Sequence, residues 1–237
     1  MYRCILPGLV LSTMPCAGYP ATPGGKLTKI DLGKKILDRK NVSASPVRYR
    51  GANALLLMAA PDVANDATFA AIRGITARDF VIEAVLYGAP VDDTTTARGF
   101  VGIAFRISED REKFEAIYLR PTNAHADDQL RRNHTVQYIS HPTHPWERLR
   151  TDFPGQYEAY ADVNPAEWIK VKIVVRGRTA HLFVNGNREP ALIVNDLKHP
   201  PTSGGIGLWV GPGSLGHFKS LRISVERPNF TPDSNRE

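Results

Sequence analysis

Residues 167–186, EWIKVKIVVRGRTAHLFVNG, carry two alternating runs joined by a tight turn. Ile169, Val171, Ile173 and Val175 alternate with Lys170, Lys172, Val174 and Arg176. Successive side chains of a strand point to opposite faces, so this period of two predicts a strand buried on one side. Gly177-Arg178 is a two-residue turn with glycine first, which suits a type II′ hairpin whose twist matches its strands. The return run places Ala180, Leu182 and Val184 on one face. Asn185-Gly186 then makes a second tight turn, because both residues accept positive φ.

The same period recurs on either side of this hairpin. Phe80, Ile82, Ala84 and Leu86 fall opposite Val81, Glu83, Val85 and Tyr87, and Val101, Ile103, Phe105 and Ile107 fall opposite Gly102, Ala104 and Arg106. Phe114 to Leu119 and Thr135 to Ile139 are two further strands. Ile206, Leu208 and Val210 form another, with Trp209 facing the opposite way, and Leu221, Ile223 and Val225 close the series. Nearer the start, Leu27 to Leu32 and Val47 to Arg50 are weaker strands. Leu55 to Ala60 is a continuous apolar run of the kind buried in a sandwich, with Phe69 to Ile72 as its expected pairing partner. About a dozen strands with turn signals between them, and no amphipathic helix of useful length, predict an all-β sandwich. No Pro/Gly/Ser linker interrupts the series, so residues 26–227 are expected to form a single domain, followed by a disordered tail at 228–237.

Composition places the chain among ordinary soluble globular proteins, with 42% hydrophobic and 23% charged residues. The net charge of +6 raises the question of nucleic acid. Lys and Arg are scattered and mixed with Asp and Glu, with no basic run or recognition helix, which argues against that partner. Residues 1–25 contain both cysteines, Cys4 and Cys16, and an apolar run from Cys4 to Met14 that is too short to span a bilayer. Ala17-Gly18 and Ala21 supply small residues for cleavage, so the segment is expected to be a signal peptide of a secreted or periplasmic protein. A frayed N-terminus is the alternative. Removal of the leader would leave neither a disulfide nor a thiolate metal site.

Between the strands at Phe114 and Thr135, the connection is longer than ordinary hairpin loops and rich in groups of fixed hydrogen-bonding geometry. Arg120, Asn123, Asp127, Gln129, Arg131 and Asn133 there are the candidate ligand-binding residues, together with Tyr118, Trp146 and Trp209. Arg120, Arg131 and Arg132 offer planar donor forks for hydroxyls or a carboxylate. Surface ion pairs with Asp127, Asp128 and Glu147 are the structural alternative. His134, able to exchange a proton near neutral pH, is a catalytic candidate with Asp128 and Glu83. Glu83 and Tyr118 need partners on their strands, for which Arg106 and Arg120 are available. His134, His141 and His144 with the nearby aspartates are a set that can bind a divalent ion, but no metal-binding spacing supports one, so no metal or other cofactor is predicted.

FEAIYLRPTNAHADDQLRRNHTVQYISHP, the patch PWERLRTDFPGQYEAY, the hairpin above and the end GGIGLWVGPGSLGHFKSLRI together span roughly residues 80–226. They resemble the 3-keto-disaccharide hydrolases, a family of concanavalin A-like sandwich domains. The resemblance implies a two-sheet antiparallel jelly-roll that handles carbohydrate on its concave face, and an activity on sugars oxidised at carbon 3. It carries over no catalytic residue. The E-x-D-x-x-E strand of retaining glucanases, whose two carboxyls must lie about 5–5.5 Å apart, is missing. Glu109, Glu112 and Glu115 come nearest and fall in and beside a charged turn.

Two functions follow as expectations. One is a secreted or periplasmic enzyme, monomer or homodimer, that cleaves a glycoside or 3-keto-glycoside. The other is a non-catalytic lectin-like or adhesion module on the same fold. A sandwich with an ordered polar loop and no ligand is a third possibility, because fold alone does not choose function.

Overall fold

A computed structural model describes residues 25–33, 37–61, 63, 66–92 and 96–225. The expected leader and tail lie outside these residues, apart from Gly25. In chain order the strands are β1 (Thr28–Ile30), β2 (Leu37–Lys40), β3 (Val42–Tyr49), β4 (Ala52–Ala59) and β5 (Phe69–Ala77). β6 (Phe80–Pro90), β7 (Val101–Ile107), β8 (Phe114–Leu119), β9 (Val136–His141) and β10 (Glu158–Ala159) follow. The last five are β11 (Ile169–Arg176), β12 (Thr179–Val184), β13 (Leu192–Val194), β14 (Gly204–Val210) and β15 (Ser214–Val225). Two short helices, α1 (Gln129–Asn133) and α2 (Trp146–Asp152), and a 3-10 turn at Pro121–Asn123 lie in the connections around β9. Among the described residues no helix is long and apolar enough to cross a membrane.

The strands form two antiparallel sheets, as the alternation predicts. One has the order β13-β12-β11-β6-β15-β4-β3, with β1 added beside β15, and the other runs β10-β9-β8-β7-β14-β5-β2. The hairpin at 169–184 pairs in the expected register, Val175 opposite Ala180 and Ile173 opposite Leu182. Gly177 takes φ +51°, and Asn185 and Gly186 both take positive φ, at +52° and +82°. The faces bearing Ile82, Ile173 and Leu221 in one sheet and Ile103, Ile117 and Leu208 in the other share a single core. The result is the expected all-β, concanavalin A-like sandwich.

Two local expectations are corrected. Phe69 to Ile72 does not pair with Leu55 to Ala60. β5 pairs β14 and β2 in the seven-stranded sheet, whereas β4 lies in the other. Leu55, Leu57, Ala70 and Ile72 are all buried in the shared core, contributed from the two different sheets. Arg106 also leaves its expected outward side. Its φ is +48° and the β7–β14 register shifts beside it. The bulge turns its guanidinium inward, where Nη1 lies 3.0 Å from Glu115 Oε2 with both side chains fully buried. Nη2 donates to the Gly177 carbonyl of the other sheet, and Tyr138 Oη and His199 N donate to Glu115 Oε1. Burial pushes the Glu115 carboxyl up, against the pull of Tyr138 and Arg106. An unpaired charge here would cost about 3–5 kcal/mol.

Candidate functional site

Gly102 sits between Trp209 on one neighbouring strand and Tyr118 on the other. A Cβ at Gly102 would come within 2.5 Å of Tyr118 Cβ. Its absence lets the two rings stack across the strand at 4.4 Å. This pair lies on the outer side of the seven-stranded sheet and forms the floor of an open cleft of about 860 Å³. Phe100 meets Tyr118 edge-on at 6.1 Å, and Trp146, the first residue of α2, also lines the cleft. Trp209 is fixed by its Nε1, which donates to the Asp66 carbonyl at 2.8 Å.

Arg120, immediately after β8, is 5% exposed and holds this end of the site together. Nη1 donates to the His134 carbonyl and to Gln137 Oε1, each at 3.2 Å, and Nη2 donates to Tyr118 Oη at 2.9 Å. The guanidinium carbon lies 5.2 to 5.9 Å from the ring centres of Tyr118, Trp146 and Phe100. The loop beyond it is wound rather than slack. Asp128 caps α1 by accepting from the Arg131 backbone N–H at 3.0 Å. Asn123 Nδ2 donates to the His134 carbonyl at 3.2 Å, and Arg131 Nε donates to Asn123 Oδ1 at 3.0 Å.

His134 Nε2 lies 3.0 Å from Glu158 Oε1, and Arg150 grips the same carboxylate with Nη2 at 2.7 Å from Oε2. Burial, ahead of the opposing charge of Glu158, holds the His134 imidazole below its ordinary pKa. The contact is therefore a neutral ring donating from Nε2 to the carboxylate, which leaves Nδ1 able to accept a proton. Across the lining, burial and then the Glu147 charge raise the Asp66 carboxyl to about 6, with Arg120 working in the other direction. The cleft thus holds one carboxyl that keeps its proton up to about pH 6 and one oriented neutral imidazole.

Seven of the expected residues come together here: Tyr118, Arg120, Asn123, Arg131, His134, Trp146 and Trp209. The others do not. Asp127, Asp128, Gln129 and Asn133 are exposed and lie off the cleft. Winding the loop into α1 commits Asp128 to the cap and Gln129 Nε2 to Asn133 Oδ1 at 2.8 Å. Glu83 lies on the outer face of the other sheet, opposite Lys172 and 3.4 Å from Arg222, so neither Arg106 nor Arg120 is its partner. Arg131 and Arg132 bind Asn123 and the Ala124 carbonyl instead of forming the surface ion pairs considered above. Asp66, Arg98, Phe100, Glu147, Arg150 and Glu158 were not anticipated. Glu147, Arg150 and Glu158 fall in the patch PWERLRTDFPGQYEAY, in which only Trp146 was singled out, whereas sheet order brings Asp66, Arg98 and Phe100 here and no local motif marks them. Among the described residues no three His, Cys, Asp or Glu side chains gather into a metal site.

Fold and site together define a two-sheet β-sandwich with a loop-built polar and aromatic cleft on its seven-stranded sheet. No protein-family model and no curated sequence matches the chain, so the narrower likeness to the 3-keto-disaccharide hydrolases rests on the sequence motifs. Solved structures do match. The carbohydrate-binding module CBM66 from Bacillus subtilis aligns with a TM-score of 0.55 over 79% of this chain and 94% of that one, at 12% identity. A cellulose induced protein, Cip1, aligns with a TM-score of 0.52 over 84% of this chain and 94% of that one, also at 12% identity. At such identity the likeness shows the sandwich fold and leaves the chemistry to the site.

Proposed function

We propose that the chain is a carbohydrate-active domain that binds a sugar in this cleft and cleaves its glycosidic bond, a 3-keto-glycoside being the favoured substrate. The observation that carries the reading is the presence, in one aromatic-lined cleft, of a carboxyl raised to about 6 and a carboxylate-anchored neutral imidazole. A carboxyl raised by burial beside an imidazole held neutral is the kind of perturbed pair that acid–base sites contain. Trp146 and Phe100 offer faces for a sugar ring, and Arg131 and Asn123 offer donors for its hydroxyls.

A ketone at carbon 3 acidifies the hydrogen on carbon 2. His134 takes that proton, the released pair forms the C1–C2 double bond, and the C1–oxygen bond breaks as Asp66 protonates the departing oxygen. Water then adds to the unsaturated sugar to complete hydrolysis. Glu158 steadies the imidazolium formed in the first step. A secreted or periplasmic setting suits such a substrate. A second reading, sugar binding without turnover, draws on the likeness to a protein that is by name a carbohydrate-binding module.

The test is a screen of the purified chain against 3-keto and unmodified disaccharides, with and without EDTA. Cleavage that disappears in both His134→Ala and Asp66→Asn, in proteins that still melt cooperatively, is the expected result. Binding of sugar with no product from any substrate would favour the second reading.

A further inference from the structure

Building on the sugar reading of the cleft, we infer that its ligand carries a carboxylate, as in a uronic acid residue, held between Arg98 and Arg131. The inference starts from how the charges in the cleft are paired. Arg150 is neutralised by Glu158 in a two-pronged contact, with Nη2 at 2.7 Å and Nε at 3.1 Å from Oε2. Arg98, Arg120 and Arg131 line the same cleft, and among the described residues none of them has a carboxylate within 4.0 Å. Arg120 donates to neutral oxygens only.

Both arginines line one cleft and have donors left over. Arg131 commits Nε to Asn123 Oδ1, and Arg98 commits Nη1 to the Ala97 carbonyl at 3.2 Å. Both Nη groups of Arg131 and Nη2 of Arg98 have no acceptor among the described residues. Burial, and then the charge of Arg131, hold the Arg98 guanidinium below its ordinary pKa. Elsewhere the protein pairs such groups. Buried Arg106 has Glu115, and Arg222 on the opposite sheet has Glu83. Two half-buried like charges in one cleft are unfavourable, and a ligand carboxylate would relieve them. A planar carboxylate matches two guanidinium forks in geometry as well as in charge. Asp66 and Glu147, the cleft's own carboxyls, interact with each other and with Arg120 and leave the Arg98–Arg131 side positive.

The experiment titrates the full chain calorimetrically with matched oligosaccharides that differ only in carrying glucose, glucuronate or glucose 6-sulfate, at low and high salt. Glucuronate is expected to bind at least about tenfold tighter than glucose, with the advantage shrinking at high salt. That ratio is expected to fall toward one in Arg131→Gln and in Arg98→Gln. Thermal melts check that each variant folds, and the wild-type ratio decides the matter if neither does. Equal affinity for the glucose and glucuronate ligands overturns the carboxylate inference and leaves the sugar reading standing. Failure of all three ligands to bind removes both. A sulfated ligand held as tightly as the uronate overturns the planar-carboxylate assignment.

Discussion

The two sheets share one core, yet their outer faces could hardly differ more. In the eight-stranded sheet, β12 and the first half of β11 alternate between buried and accessible residues, with Lys170, Lys172, His181 and Phe183 on the outer side. In the seven-stranded sheet, every residue of β7 and β8 is buried. The cause is not a second core of large aliphatics. The connections at 120–135 and 142–157 fold over that face, where small residues such as Gly102, Ala104 and Ala116 leave room for Trp209 and Tyr118. A strand that faces water must carry polar side chains on that side, whereas a covered strand is free of the requirement. The cleft opens where the covering is incomplete. The groove on the other face, about 600 Å³ around Phe183 with Lys170, Lys172, Arg188 and Arg222, is a strand surface with its side chains in solvent.

Paired truncations test this difference most strongly. Trp209→Ala removes a ring that is 1% exposed and stacked on Tyr118, and is expected to lower unfolding free energy by about 3–5 kcal/mol in urea titrations. Phe183→Ala, on the uncovered face, should cost less than about 1 kcal/mol. Equal losses would mean that the covered face contributes no more than the open one. Arg120→Ala comes next. It leaves Tyr118 Oη and Gln137 Oε1 without this donor and the His134 carbonyl with Asn123 Nδ2 alone, for a loss of roughly 2–4 kcal/mol, together with loss of the proposed sugar binding.

The covered face also explains what the sequence could and could not reveal. The hairpin at 169–186 was legible because period two, Gly177 and Asn185-Gly186 are local signals, and the strands around it follow from the same period. Within the site, the stretch from Tyr118 to His134 supplied five lining residues, because unusual loop length and polarity are also local. Asp127, Gln129 and Asn133 could not be separated from Asn123 and Arg131 in that way. Which side of a wound loop faces the sheet depends on the Asp128 cap and the α1 turn that follows it. Asp66 and Arg98 were beyond reach for a different reason. Their places depend on β5 and β7 lying on either side of β14, an order set by long-range pairing that no window of sequence contains.

Asp66 offers a pH test confined to the covered face. Its folded pKa of about 6 lies above the usual carboxylate value, so the native chain binds more protons than the unfolded chain between about pH 4 and 6. Its contribution to stability is present at low pH and is lost as pH rises through 6. His134, His141, His144, His181, His199 and His217 run the other way, because burial lowers each of them and their native forms shed protons first. The quantity to read is therefore the difference between wild type and Asp66→Asn. The variant should gain on the wild type in urea midpoint from pH 4.5 to 7, and a difference that stays flat across that window would show Asp66 to be an ordinary solvated carboxylate. Where turnover is found, the wild-type rate should fall above pH 6 as the acid ionises.

The smallest effect is expected at Glu83, the one proposed catalytic carboxylate that the fold carries to the wrong side of the molecule. It lies on β6 opposite Lys172, and its contact with Arg222 spans 3.4 Å with both side chains partly in water. An exposed pair of this kind is worth between nothing and about 1 kcal/mol. Glu83→Gln should therefore shift stability by less than about 0.5 kcal/mol and leave the proposed sugar binding and cleavage unchanged. A large loss of activity in a normally folded Glu83→Gln protein would move the chemistry to the eight-stranded face. The groove between Lys170 and Arg222, with Phe183 as its apolar wall, would then have to be the site, and the loops over the seven-stranded sheet would be cover and nothing more.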